Sequence, residues 1–182
     1  MRPIVNSTFV SLDGVINHMG NWHFDYVDAE TDAFALEQLT AGDAMLMGRK
    51  TYDVYASAWP NRDGAYADRI NAMPKYVVSS TLTDPAWQHT TVLSDDLVGQ
   101  VRKLKAEPGG PILMHGYGPV AKTLLGAGLL DELHLWVHPV LAGVGAGEDL
   151  LLHEGLNVVL QPAGQRTFQN GVVLLSYRAT ND

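Results

Sequence analysis

Three short stretches combine glycines, cations and hydroxyls in the way a phosphorylated ligand requires. Gly48-Arg49-Lys50-Thr51 joins a flexible backbone position to two cations and a hydroxyl. Ser79-Ser80-Thr81 sets hydroxyls in a row, and Gly116-Tyr117-Gly118-Pro119 sets glycines directly before Val120 to Ala127, a segment of helical apolar spacing. Glycine lets a backbone come close to a ligand. The first amide N–H groups of a helix have no partner inside it and favour an anion. A phosphate or pyrophosphate is the natural guest. A Gly-x-Gly this short suits a plain tight turn equally well, and Gly48 to Thr51 is not a Walker A loop, because the spaced glycines before Gly-Lys-Thr are absent.

Two carboxylates are candidates for proton or orientation chemistry. Asp13 lies in Ser11-Leu12-Asp13-Gly14, where it could act at a site or cap a turn. Asp32 lies on a segment of helical pattern, where a carboxylate is ordinarily a solvated side chain. Trp22, Tyr52 and Trp59 are candidates to line a substrate pocket, with core packing as their usual alternative. His134, Trp136 and His138 share one face of a strand. Two histidines without an apparent third ligand do not make a zinc site, so no metal is expected. An aromatic strand face of this kind is expected to meet a second subunit, which predicts a homodimer.

The elements that must position these residues alternate along the chain. Strands are predicted over 3–11, 44–47, 75–79, 90–93, 112–115 and 131–141. Helices are predicted over 28–39, from 52, over 65–73, from Asp95 or Asp96, and over 120–127. In the first of these helices Asp28 suits the N-cap, and Ala29, Ala33, Leu36 and Leu39 are expected to face the core. The chain closes with a hairpin of 156–163 and 164–177, with Asn170-Gly171 as its strongest turn signal. Alternating strands and helices followed by strands alone predict a mostly parallel sheet, helices on both faces and an antiparallel edge. Ligands of such sheets sit at the carboxyl ends of the strands. Asp13, Gly48 to Thr51, Ser79 to Thr81 and Gly116 to Pro119 all fall at such ends.

Composition narrows the function classes. A length of 182 residues with 46% hydrophobic and 18% charged content suits one globular domain. No apolar run would cross a bilayer and no signal-peptide pattern is present, so a cytoplasmic protein is expected. There is no cysteine, hence no disulfide, thiolate site or thiol nucleophile. A net charge of −8 repels nucleic acid and anionic membranes, which are therefore not expected as partners. An anionic ligand would need the few bases gathered around it, and Arg49, Lys50 and Lys122 flank the glycine turns.

Met47-Gly48-Arg49-Lys50-Thr51-Tyr52, the segment from Lys75 to Leu82 and the run from Gly116 to Gly145 together resemble the dihydrofolate reductase superfamily. The closer resemblance is to its branch similar to the reductase domain of bacterial riboflavin biosynthesis, and it covers nearly the whole chain. It implies a three-layer α/β/α fold with a central, mostly parallel eight-stranded sheet and an antiparallel C-terminal edge. It implies NADPH as cofactor, held by Gly48, Arg49, Lys50, Thr51, Ser79, Ser80 and Thr81 toward the adenosine phosphates. Gly116, Tyr117, Gly118, Pro119 and Val120 would hold the pyrophosphate, Tyr117 standing where a small residue is expected. Arg49 and Lys50 can pair with the 2′-phosphate that NADP carries and NAD lacks. The activity implied is hydride transfer to a C=N or C=O group of a small heterocycle or ribosylamino-pyrimidine-like substrate. Asp13 matches the Ser-x-Asp-Gly aspartate of the riboflavin branch, and Asp32 falls where folate reductases keep a carboxylate. Asn21-Trp22-His23 replaces the Leu-Pro-Trp of folate reductases. A dihydrofolate reductase and a non-catalytic dinucleotide-binding protein of the same fold are the alternatives. The zinc deaminase that partners such reductases needs cysteines, so it is absent from this chain.

Overall fold

The computed structural model describes residues 1–180. The elements are β1 (Ile4–Ser11), α1 (Ala29–Ala41), β2 (Ala44–Gly48), α2 (Arg49–Ala58), α3 (Ala65–Ala72), β3 (Lys75–Val78), β4 (Thr90–Leu93), α4 (Leu97–Ala106), β5 (Ile112–His115), α5 (Pro119–Gly126), β6 (Glu132–His138), β7 (Leu160–Thr167) and β8 (Val173–Ala179). One eight-stranded sheet has the order β4-β3-β2-β5-β1-β6-β8-β7. Strands β1 to β6 pair in parallel, β8 runs antiparallel to β6, and β7 runs antiparallel to β8.

Each face of the sheet is covered. Ile4, Leu46, Ile112 and Met114 pack with Val101 and Leu104 of α4 and with Leu124 of α5. Met45, Met47 and Val77 pack with Leu39 of α1, Tyr52 of α2 and Ile70 of α3. The central strands are therefore buried on both sides, which is why they read as unbroken apolar runs. Among the described residues no helix is long and apolar enough to cross a membrane.

Four expectations need correction. Asp28 does cap α1, its carboxylate accepting from Thr31 N–H at 2.9 Å, but Ala29 and Ala33 are exposed. Leu39 does lie in the core as expected, and the residues turned inward with it are Thr31, Phe34 and Gln38. Gln38 meets His134 at 3.1 Å, and Phe34 packs edge-on to Trp136, so part of the inner stripe answers polar groups on the sheet. The strand predicted over 131–141 stops at His138, and 139–152 is loop apart from one short 3-10 turn. The closing hairpin does turn at Asn170-Gly171, with Gly171 at φ +89°, but its first arm is 160–167, and Gly164 sits at a bulge inside that arm. Finally, His134, Trp136 and His138 do not form an exposed face for a second subunit. Trp136 and His138 are buried under the chain's own α1, Phe168 and residues 22–26, so the exposed aromatic face on which the homodimer expectation rests is not there.

Candidate active site

Strand pairing brings the predicted ligand-binding turns together. β2 lies between β3 and β5, so the turn at Gly48, the Ser79 strand end and the Gly116 turn emerge side by side at the carboxyl rim. A Cβ placed on Gly48 would stand 3.3 Å from Val120 Cγ2, and one on Gly116 would stand 3.9 Å from Thr51 Oγ1. Gly48 and Gly118 are the N-caps of α2 and α5, and among the described residues no side chain caps either helix start. Two helix N-termini thus present free N–H groups at one rim. Gly116 needs its glycine for φ +79°, whereas Gly118 is extended and a Cβ there would meet nothing within 4 Å. Open space directly before an uncapped helix is the fit a pyrophosphate requires.

The cations are not shared equally. Arg49 Nη1 donates to Thr81 Oγ1 at 3.3 Å, tying α2 to the end of β3. Ser79 Oγ in turn accepts from the N–H groups of Thr81 and Leu82 at 3.2 and 3.1 Å, which shapes that strand end. Ser80 is exposed beside them. Lys50 pairs with Glu148 at 2.7 Å, across to the loop after β6. Lys122 is buried, donating to the carbonyls of Leu150 and Leu152 at 3.0 and 3.3 Å, so it braces that loop rather than the cleft. Tyr117, the residue that departs from family expectation, turns into the core with Lys122 Nζ 5.6 Å from its ring centre. Its bulk leaves the rim clear.

Loops after β1 and β6 form the other half of the rim. The Asp13 carboxylate accepts from Ser11 Oγ and from the N–H groups of Ala142 and Gly143 at 2.9 and 2.8 Å. Those three bonds, the Ser11 hydroxyl first, hold its pKa down to about 2. Asp13 is thereby an ionised anchor for the loop after β6. Ile16 N–H donates to Asp149 O and Leu151 N–H to Gly14 O, both at 2.8 Å, binding the two loops along their length.

Behind them lies a cavity of about 60 Å³ between β1, β6 and α1, walled by Phe9, Tyr26 and Trp136 and lined by His23, His138 and Asp32 among others. His138 Nδ1 is 2.9 Å from the Trp136 carbonyl, which can only accept. His138 therefore carries its proton on Nδ1, and its Nε2 is an acceptor. His23 Nδ1 is 3.0 Å from that Nε2 and must donate to it. The unprotonated Nε2 of His23 has no hydrogen-bond partner among the described residues. Burial, and then the neighbouring His138, push His23 down to about 4, and burial lowers His138 as well, so both rings are neutral near pH 7. Asp32 contributes the cavity's carboxylate and makes no side-chain hydrogen bond or ion pair among the described residues.

The expected substrate aromatics are not gathered here. Trp22 is buried beside His138 with its indole N–H on Asn17 O at 3.0 Å, roofing the imidazole pair. Tyr52 is a core residue next to Trp87, and Trp59 packs on Tyr66 at 4.8 Å under Arg62. Phe9, His23 and His138 were not singled out for this cavity by sequence. The alternation of His134, Trp136 and His138 was visible, but it could not tell an outward face from one covered by the chain's own helix.

Sheet order, rim position and paired glycine turns define a dihydrofolate reductase-like fold with its cleft at the strand ends. Residues 2–174 match the RibD C-terminal domain family, and the chain belongs to it. This is a family of reductases that typically bind a nicotinamide dinucleotide. The chain is 29% identical over 181 residues to the uncharacterized protein YyaP of Bacillus subtilis, covering 97% of this chain and 94% of that one. Its fold matches a putative riboflavin biosynthesis protein of Shewanella sp. PV-4, with a TM-score of 0.71 at 23% identity over the whole of both chains. It also matches a pyrimidine reductase-like protein of Corynebacterium diphtheriae, with a TM-score of 0.72 at 16% identity over all of this chain and 93% of that one.

Proposed function

We propose that this chain is an NADPH-dependent reductase of a small heterocyclic substrate carrying a C=N or C=O group. The observation that carries the reading is the meeting of Arg49 and Thr81 beside two uncapped helix N-termini at one sheet rim. Gly116 to Val120 would take the pyrophosphate, with Gly118 giving it room. Gly48 to Thr51 and Ser79 to Thr81 would take the adenosine end, with Arg49 on the 2′-phosphate. When bound, the nicotinamide supplies the hydride. The chain's own residues hold and orient. Asp13 fixes the loop that frames the rim. Asp32 and His23 line the cavity, and the Asp32 carboxylate and the His23 Nε2 acceptor would orient N–H or O–H groups of the substrate. Asp13, ionised far below neutral pH, does not serve as the proton donor.

Equilibrium binding of NADPH and NADH to wild type and Arg49→Ala tests the cofactor assignment. The variant should weaken NADPH by about 10- to 100-fold and NADH by less than about threefold, as expected for losing one charge-assisted phosphate contact. Equal losses would remove the 2′-phosphate from Arg49. Loss of absorbance at 340 nm with a panel of ribosylamino-pyrimidines, dihydrofolate and other C=N or C=O heterocycles then separates a reductase from a protein that binds the dinucleotide without reducing anything.

A further inference from the structure

The Arg49 guanidinium does not stand free. Its Nε lies 2.8 and 3.0 Å from the two carboxylate oxygens of Asp53, one helical turn along α2, while Nη1 donates to Thr81. Both partners are partly exposed, Arg49 at 41% and Asp53 at 54% of the side chain, so the pair sits on the rim rather than in the core. No other carboxylate contacts Arg49 among the described residues.

A carboxylate so placed acts in opposite directions on the two forms of a dinucleotide. It neutralises the cation that a 2′-phosphate needs and repels a group carrying between one and two negative charges. It is also a strong acceptor for ribose hydroxyl groups, the contact by which acidic residues select an unphosphorylated ribose. We propose that Asp53 sets the cofactor preference of this chain, lowering its affinity for the 2′-phosphorylated dinucleotide so that the unphosphorylated form can compete. The inference rests on the reading that the adenosine end lies at Arg49 and Thr81, and it adds a residue that opposes Arg49 there.

The two roles separate cleanly in a variant. An exposed i,i+4 ion pair contributes little to stability, so Asp53→Asn keeps the helix and the shape of the side chain while removing the charge. Isothermal titration of wild type, Asp53→Asn and Asp53→Ala would use NADPH, NADH, adenosine 2′,5′-bisphosphate and 5′-AMP. Both variants should bind NADPH and the bisphosphate about tenfold more tightly at low ionic strength, with NADH and 5′-AMP unchanged or weaker. The gain should shrink in about 0.5 M salt, because the repulsion is screened. Tight wild-type binding of NADPH with no gain in either variant, or equal gains for phosphorylated and unphosphorylated ligands, would overturn the role of Asp53 alone. A wild-type chain that binds none of the four ligands would overturn the cofactor reading and this inference with it.

Discussion

At the scale of single residues, the two glycines of one turn do different work. Gly116 holds φ +79°, and any side chain there is strained whatever the space around it. Gly118 lies at φ −88° and ψ −167°, a conformation open to every residue, and its missing Cβ faces empty space. Its glycine is therefore not needed for folding. Gly118→Ala should melt within about 2 °C of wild type, as surface changes without strain do. It should nevertheless weaken NADPH by about tenfold or more, since a methyl group then stands before the first N–H groups of α5. Gly116→Ala should lose about 1–2 kcal/mol of stability in chemical denaturation. Wild-type NADPH affinity in a stably folded Gly118→Ala would move the phosphate site away from this turn.

At the scale of elements, the glycine turns were legible because their signals are local. Gly48 and Gly118 each stand between a β-prone run and a helical one, and strand order needs only the alternation of such units. The loop after β6 was not legible. Pro139 to Gly147 is apolar and glycine-rich, so it extends the pattern of the strand before it. β6 stops at His138 because Pro139 has no N–H to give a ladder and Val140 N–H turns back onto His138 O at 2.8 Å; Leu12 N–H then takes the Val140 carbonyl and Asp13 the N–H groups of Ala142 and Gly143. The inner face of α1 failed for a related reason. Gln38 and Thr31 face inward because the sheet beneath presents His134 and a cavity, and apolar periodicity counts neither as core. The tie from Asp13 is directly measurable. Asp13→Ala should raise the hydrogen-exchange rates of the Ala142 and Gly143 amides by roughly tenfold or more, leaving those of β1 and β6 unchanged. Unaltered exchange at 142–143 would show that the backbone bonds of 12–16 hold the loop alone.

At the scale of the whole molecule, three imidazoles withdrawn from solvent, His138 buried and His23 and His115 half-buried, make stability depend on pH. Burial pushes His115, bonded through Nδ1 to Tyr55 Oη at 3.0 Å, down to about 4. His23 is held at about 4 by burial and by His138, which is itself lowered. In the unfolded chain these rings titrate near 6.5. Between pH 6.5 and 4 the unfolded state therefore binds more protons than the folded one, and stability rises with pH across that window. Their contribution is complete above about pH 6.5 and is lost as pH falls toward 4. Asp13, lowered to about 2, works in the same direction but only below the ordinary carboxylate range, so it is silent near pH 5. The net charge of −8 opposes the trend, since acid relieves self-repulsion, but exposed charges are screened within about 8 Å at physiological salt while the buried rings are not. The melting temperature should accordingly drop by roughly 5–10 °C between pH 7.5 and 5.0. His23→Gln should melt lower at neutral pH, because the stacked contact of the imidazole on Phe9 is lost, yet show a shallower dependence across the same window, because one of the titrating rings is gone. A melting temperature that is flat or rising on acidification, or an undiminished slope in His23→Gln, would mean that these imidazoles already carry charge in the folded protein, and the neutral acceptor assigned to His23 in the cavity would fall with that result.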